Sequence, residues 1–173
     1  METFASPKAL VRNPEFAHQR RDSLAGLDEG MIDPPIRPLI RRLNRLDCCY
    51  TLQCCYGHFV YPGRTDPHNL EPLPPKPIPG PITYRIAYLA LCIANTDDGR
   101  ALLETLGRLP DLDPANIQFG SPEWFWRQRV NTYALQVEPE RFRHRDQARL
   151  DYGEALRIER LRSEFFDRLA SAP

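Results

Sequence analysis

Residues 62 to 81, PGRTDPHNLEPLPPKPIPGP, hold eight prolines in twenty positions. Each proline lacks a backbone N–H and has its φ locked, so the stretch is barred from helix interiors and central strands. It is a long loop. A structureless loop of that length in a compact domain is either a functional lid or a disordered segment.

On either side the periodicity is readable. Phe16, Arg20, Leu24 and Leu27 recur at helical steps, predicting a helix over residues 14 to 29 that stops at Gly30. In GMIDPPIRPLIRRLNRL, Asp33 is suited to cap a helix opening on Pro34 and Pro35. Ile36, Leu39, Ile40, Leu43 and Leu46 form its apolar stripe, and Arg37, Arg41 and Arg45 a basic ridge opposite. Tyr50 to Cys55 and His58 to Tyr61 read as short strands bent at Gly57.

Beyond the loop, ITYRIAYLALCIA (82 to 94) is apolar on both alternating faces after Arg85, as expected of one central strand. Thr96 or Asp97 can cap a helix to Leu109. NIQFGS and NTYALQVEP read as strands joined by PEWFWRQRV. The tail, residues 139 to 170, reads as a charged C-terminal helix with Ile158, Leu161, Phe165 and Leu169 on its buried side. For 173 residues this order implies one domain, an α/β sandwich with a mixed β-sheet flanked by helices.

Lys+Arg and Asp+Glu both total 23, so no net positive field recruits nucleic acid over distance, although a local basic face remains open. Only Lys8 and Lys76 are lysines; the other basic residues are arginine. No apolar run reaches the roughly 18 residues of a membrane span, and METFASPKALVRNPEF lacks the pattern of a secretory signal. The expectation is a cytoplasmic protein without a membrane partner. Five cysteines, an odd number with two adjacent pairs, predict free thiols and not a disulfide framework.

Four of those cysteines and one histidine fall in CCYTLQCCYGHF, residues 48 to 59. If residues 48 to 55 are extended, Cys48 and Cys54 stand about 20 Å apart and cannot share a tetrahedral ion. Cys48, Cys49, Cys54 and Cys92 read as small buried hydrophobes. A metal option survives in Cys55, His58 and His68, completed by water or Cys54, although the leading expectation includes no metal. A nucleophilic Cys55 beside His58 is the other option, but the segment itself offers no Asp or Asn to orient the imidazole. The Arg37, Arg41, Arg45 ridge can hold phosphates or be a solvated face. Trp124, Phe125 and Trp126 can stack a base or plug a core edge. Gly120 and Ser121 can turn backbone amides to a ligand or simply form a turn. His18 and His144 read as exposed residues of charged helices.

Phe16, Arg20, Leu24, Gly30, Ile32, Asp33, Ile36, Leu39, Asn44, Thr51, Cys55 and Gly57 together resemble the opening of the tRNA wybutosine-synthesising methyltransferase family, the third enzyme of that pathway. There a helix leads to a GSID turn, a second helix and a strand ending in SSCSGR; here the counterparts are GMID and QCCYGH. The later order of elements also follows that layout, so the resemblance covers residues 16 to 138. It implies an α/β fold, S-adenosylmethionine as cofactor, and methyl transfer to RNA or a nucleotide partner. By position it puts Thr51, Cys55 and Gly57 in the pocket. Gln53, Cys54, Tyr56 and His58 stand where the family has Ser, Ser, Ser and Arg. The implied roles are chemistry for His58, Cys55 and Tyr56, and cofactor contacts for Thr51, Gln53, Cys54, Gly57, Gly120 and Ser121. Arg37, Arg41, Arg45, Trp124 and Trp126 are then expected to hold the substrate. A non-catalytic nucleotide- or RNA-binding module of the same fold is the alternative, and a metal protein the third.

Overall fold

The computed structural model describes residues 6 to 143 and 145 to 171. Helices α1 (Phe16–Ala25) and α2 (Arg37–Arg45) lead into strands β1 (Cys49–Cys55) and β2 (His58–Val60). After the loop come β3 (Ile82–Arg85), β4 (Ala87–Ile93), helix α3 (Asp97–Gly107) and β5 (Ile117–Gly120). A short helix α4 (Glu123–Gln128), β6 (Thr132–Val137), β7 (Gln147–Leu150) and helix α5 (Tyr152–Ser171) complete the chain.

The α/β sandwich is the architecture found, with a different pairing from the mixed sheet expected. Every strand pair described is antiparallel, and the strands divide between a four-stranded sheet, β1-β4-β6-β5, and a three-stranded sheet, β2-β3-β7. Both sheets feed one hydrophobic core. Leu89 and Leu91 of β4, opposite Leu135 and Tyr133 of β6, bury one face of the larger sheet in that core. The other face carries Ala90 opposite Ala134, small residues that leave space above them.

The run 82 to 94 is therefore two strands in two sheets, and the change of sheet falls at Ile86. Tyr84 pins the corner: its hydroxyl donates to Val137 O at 3.0 Å and accepts from Ala87 N–H at 2.9 Å. β1 and β2 make a second corner at Tyr56 and Gly57, stacked directly on the first. Gly57 has φ +90°, and a Cβ there would stand 2.8 Å from Ala87 Cβ and 3.0 Å from Tyr84 Cε2. Only glycine satisfies both the backbone and the space. From the opposite side Arg162 of α5, 5 % exposed, donates from Nη1 to Gly57 O at 2.7 Å and lies 4.2 Å over the Tyr56 ring.

Other boundaries move for local reasons. α1 is shorter than the span 14 to 29 because Gly26 ends it and a tight turn, Glu29–Met31, follows, capped by Asp28. The tail is not one helix from 139 onward. A turn at Glu140–Phe142 and β7 precede α5, with Ala148 and Leu150 of β7 buried in alternation with exposed Gln147 and Arg149. His144 lies outside the described residues. PEWFWRQRV contains a helix, α4, where a connection was expected.

The proline-rich loop is fastened at several points. Asn69 is buried and donates to Phe59 O at 3.1 Å, Leu73 N–H donates to Glu159 Oε1 at 2.8 Å, and Tyr152 donates to Pro74 O at 2.6 Å. Among the described residues, no helix is long and apolar enough to cross a membrane.

Two stability predictions follow from buried features. Gly57→Ala is expected to lower the unfolding free energy by about 2 to 4 kcal/mol, backbone strain and overpacking combined, read as a lower urea midpoint at unchanged slope. Glu138, fully buried at the end of β6, accepts from Gln136 at 2.6 Å through Oε2, while Oε1 has no partner among the described residues. Burial pushes its carboxyl up to about 8 from 4.5, against the Gln136 hydrogen bond and helped by the Asp146 charge. The folded state thus holds the proton more tightly than the unfolded chain. That stabilisation is complete below about pH 4.5 and is lost as the pH rises through about 8. Melting temperatures of the parent should fall relative to Glu138→Gln across this window; parallel curves would refute the assignment.

Candidate functional site

The stacked corners leave a notch where the two sheets part, and three polar side chains meet in it. Asp33, from the turn before α2, Cys55, the last residue of β1, and His58, the first of β2, place one potential ligand atom each within 4.8 Å of the others. His58 is 2 % exposed. Its Nδ1 faces the Asn69 carbonyl oxygen at 3.2 Å, and its Nε2 faces Asp33 Oδ2 at 3.3 Å. Asp33 Oδ2 also accepts the Tyr56 backbone N–H at 2.8 Å, and Gly57 N–H donates to Cys55 Sγ at 3.4 Å.

With no other group bound, both ring nitrogens of His58 face acceptors, an arrangement an imidazolium satisfies and a neutral ring does not. Burial opposes that charge. Hydrogen bonding to Asp33 and then to Cys55 outweighs it and lifts the imidazole up to about 10. Burial likewise works against an ionised Asp33, but the His58 and Tyr56 hydrogen bonds hold its carboxyl below the usual range. An expectation is corrected here. Asp33 makes no side-chain hydrogen bond to the turn it begins; its carboxylate is the orienting group for the histidine that residues 48 to 59 lacked.

The triad lies at one end of a cleft of roughly 700 Å³ across the alanine-bearing face of the larger sheet. Tyr88, Trp124 and Phe125 give it aromatic surface, and Arg85, Arg143 and Arg145 give it cationic surface, with Asp146 among them. A second hollow of roughly 570 Å³ adjoins it, sharing Met31, Gln53, Cys54, Trp124 and Phe125 as the dividing rim. Met31 and Trp124 on that rim are 84 % and 54 % exposed, the most exposed large apolar side chains among the described residues. A bulge between Thr51 and Gln53 shifts the register of β1, putting Gln53 opposite Ala90 and Cys55 opposite Tyr88 on the cleft side.

The residues singled out from sequence separate into those the cleft brings together and those it does not. Gln53, Cys54, Cys55, His58 and Trp124 line it, and His68, the one loop residue lining it, stands at its edge with its ring 5.7 Å from that of His58. The loop borders the cleft and does not cover it. Cys54 packs on the main core, and burial, with the charges of Asp33 and Cys55, pushes its thiol up to about 12. Cys48, Cys49 and Cys92 are buried as expected, whereas Cys54 is only half-buried.

Thr51 is held by Asn44 through contacts of 2.9 and 2.8 Å and borders only the second hollow. Tyr56 turns the other way, stacking on Phe166 at 5.3 Å beneath Arg162. Gly57 serves the corner. Gly120 pairs with Ala134 within the sheet. Ser121 accepts from Lys8 N–H at 3.0 Å, and Trp126 packs on Tyr133 under the Lys8 ammonium, so both fasten the N-terminal segment. The arginine ridge lies outside the cleft: Arg37 donates to Ile32 O at 2.9 Å, Arg41 pairs with Glu29, and Arg45 is exposed. Residues unnoticed in the sequence, Tyr88, Arg85, Arg143, Arg145 and the tether carbonyl of Asn69, complete the surroundings. The aromatic–arginine mixture around Arg85 and Tyr88 was the one available signal, hidden inside an apolar run.

No protein-family model and no curated protein matches the chain. Among solved structures it is similar to the PH1069 protein from Pyrococcus horikoshii, with a TM-score of 0.52 and 15 % sequence identity, over 91 % of this chain and 95 % of that one. At that identity the likeness concerns the fold.

Proposed function

We propose that the cleft binds S-adenosylmethionine and that the protein transfers its methyl group to a base in RNA. The observation that carries this reading is the single cleft joining the strand-end residues Gln53, Cys55 and His58 to an aromatic wall and an arginine rim. Its volume falls within the range of small-molecule sites, and aromatic faces with a few convergent polar groups suit a nucleoside ligand. Trp124 and Phe125 offer a surface for an adenine or an acceptor base, and guanidinium groups suit carboxylate or phosphate. The resemblance of GMID and QCCYGH to the wybutosine methyltransferase motifs supports the same chemistry. The bound cofactor supplies a methyl group on a cationic sulfur, so the leaving thioether requires no proton from the protein. The side chains present would then orient the two reactants and exclude water.

One observation favours a second reading, binding without chemistry. His58 stands where the resembling family carries arginine, and both its nitrogens are already engaged.

Calorimetry of the full chain with S-adenosylmethionine is expected to show one site, weakened about 5- to 100-fold by Trp124→Ala. Absence of heat at about millimolar ligand would remove the cofactor. Label transferred from the methyl group to bulk RNA decides for the enzyme; binding without transfer decides for the module.

A further inference from the structure

We infer that Asp33, Cys55 and His58 form a binding site for a zinc-class divalent cation, with its fourth position open to the cleft. The inference stands apart from the methyl-donor reading, since it rests on the geometry of three side chains and their supports.

Zinc bonds nitrogen and oxygen ligands at about 2.0 to 2.2 Å, so two such ligands on a tetrahedron stand about 3.3 to 3.5 Å apart. His58 Nε2 and Asp33 Oδ2 are separated by 3.3 Å. Cys55 Sγ completes a set of donors lying within 4.8 Å of one another. One imidazole, one thiolate and one carboxylate are the mixed donors that borderline cations such as zinc prefer over magnesium or calcium. Two anionic ligands also neutralise a divalent charge, which matters beside a histidine that is 2 % exposed.

The surroundings are those of a built site. The Asn69 carbonyl oxygen faces Nδ1 at 3.2 Å, so a neutral ring donating there directs Nε2 toward Asp33 and Cys55. The Gly57 N–H rests 3.4 Å from Cys55 Sγ, and the Tyr56 N–H donates to Asp33 at 2.8 Å. These supports come from the corner backbone and the buried Asn69, so the ligands are oriented without relying on exposed side chains. His68, exposed on the loop, stays outside the close set, and the metal option read from the sequence as Cys55, His58 and His68 changes accordingly to include Asp33. Three protein ligands facing a cleft leave room for water or an oxygen of a bound molecule, the pattern of catalytic and not structural zinc.

The test is a titration of the full chain, stripped with chelator, with cobalt(II) alone. Expected is one equivalent bound, with strong visible absorption of a tetrahedral ion and a near-ultraviolet thiolate-to-cobalt band, both displaced by zinc. Cys55→Ser should abolish the thiolate band and weaken binding by more than about a hundredfold, beyond what loss of a supporting partner costs. Cys54→Ser should leave band and affinity in place. Weak octahedral absorption with the parent chain, or a thiolate band that survives Cys55→Ser, would overturn the assignment. Because S-adenosylmethionine is absent from this titration, and the calorimetry above is run on chain stripped with chelator in the same way, either idea can fail without the other.

Discussion

The buried guanidinium of Arg162 holds together everything that gives the site its shape. It reaches from α5 through the core to the carbonyl of Gly57, with the Tyr56 and Phe59 rings against it at 4.2 and 5.3 Å. A carbonyl at a strand corner has lost its ladder partner, and leaving it unpaired in a dry interior costs about 1 to 3 kcal/mol. A charged donor that is itself sandwiched by aromatic faces is a strong replacement. With that bond in place, β1 must turn into β2 at one spot, and Cys55 and His58 emerge on the two sides of the turn.

The second corner makes the first one useful. Because β3 and β4 also change sheets, at Ile86, the two sheets part at the same level and a notch opens between them. The notch is polar because the chain brings its own acceptors to it: the Asp33 carboxylate from before α2 and the Asn69 carbonyl from the loop. Beyond it the paired alanines Ala90 and Ala134 keep the sheet surface low, and the aromatic side chains of α4 and β4 stand around the resulting space. The close set is thus carried by two strand ends and the turn before α2, while the most exposed apolar surface beside the cleft, Met31 and Trp124, lies on a turn and on α4.

Much of this was legible in the sequence where a single local rule decided the outcome. The prolines marked the loop, glycine marked the bend at 57, Thr96 or Asp97 marked the start of α3, and NTYALQVEP read as the strand that became β6. What escaped were assignments settled only by distant partners. Asp33 looks like a helix cap on local grounds, yet its carboxylate serves a histidine on a strand beyond α2. Residues 82 to 94 look like one strand because apolar character does not record which of two sheets a segment joins. β7 was hidden because its two buried residues, Ala148 and Leu150, sit among charges that suit a helix equally well. Arg162 carried no local sign at all: an arginine within a charged helix reads as solvated, and only the tertiary fold shows it in the core.

The contact that aims the His58 ring toward Asp33 is made by the peptide oxygen of Asn69, not by a side chain. A peptide oxygen is common to all twenty residue types, so substitution at 69 leaves the group itself present, and the route of the loop, which the Asn69 side chain helps pin at Phe59 O, decides whether it arrives. Comparing residue identities across relatives would therefore miss the group that orients the imidazole, whereas a change in loop length between Tyr61 and Ile82 could alter it without touching a single residue of the cleft.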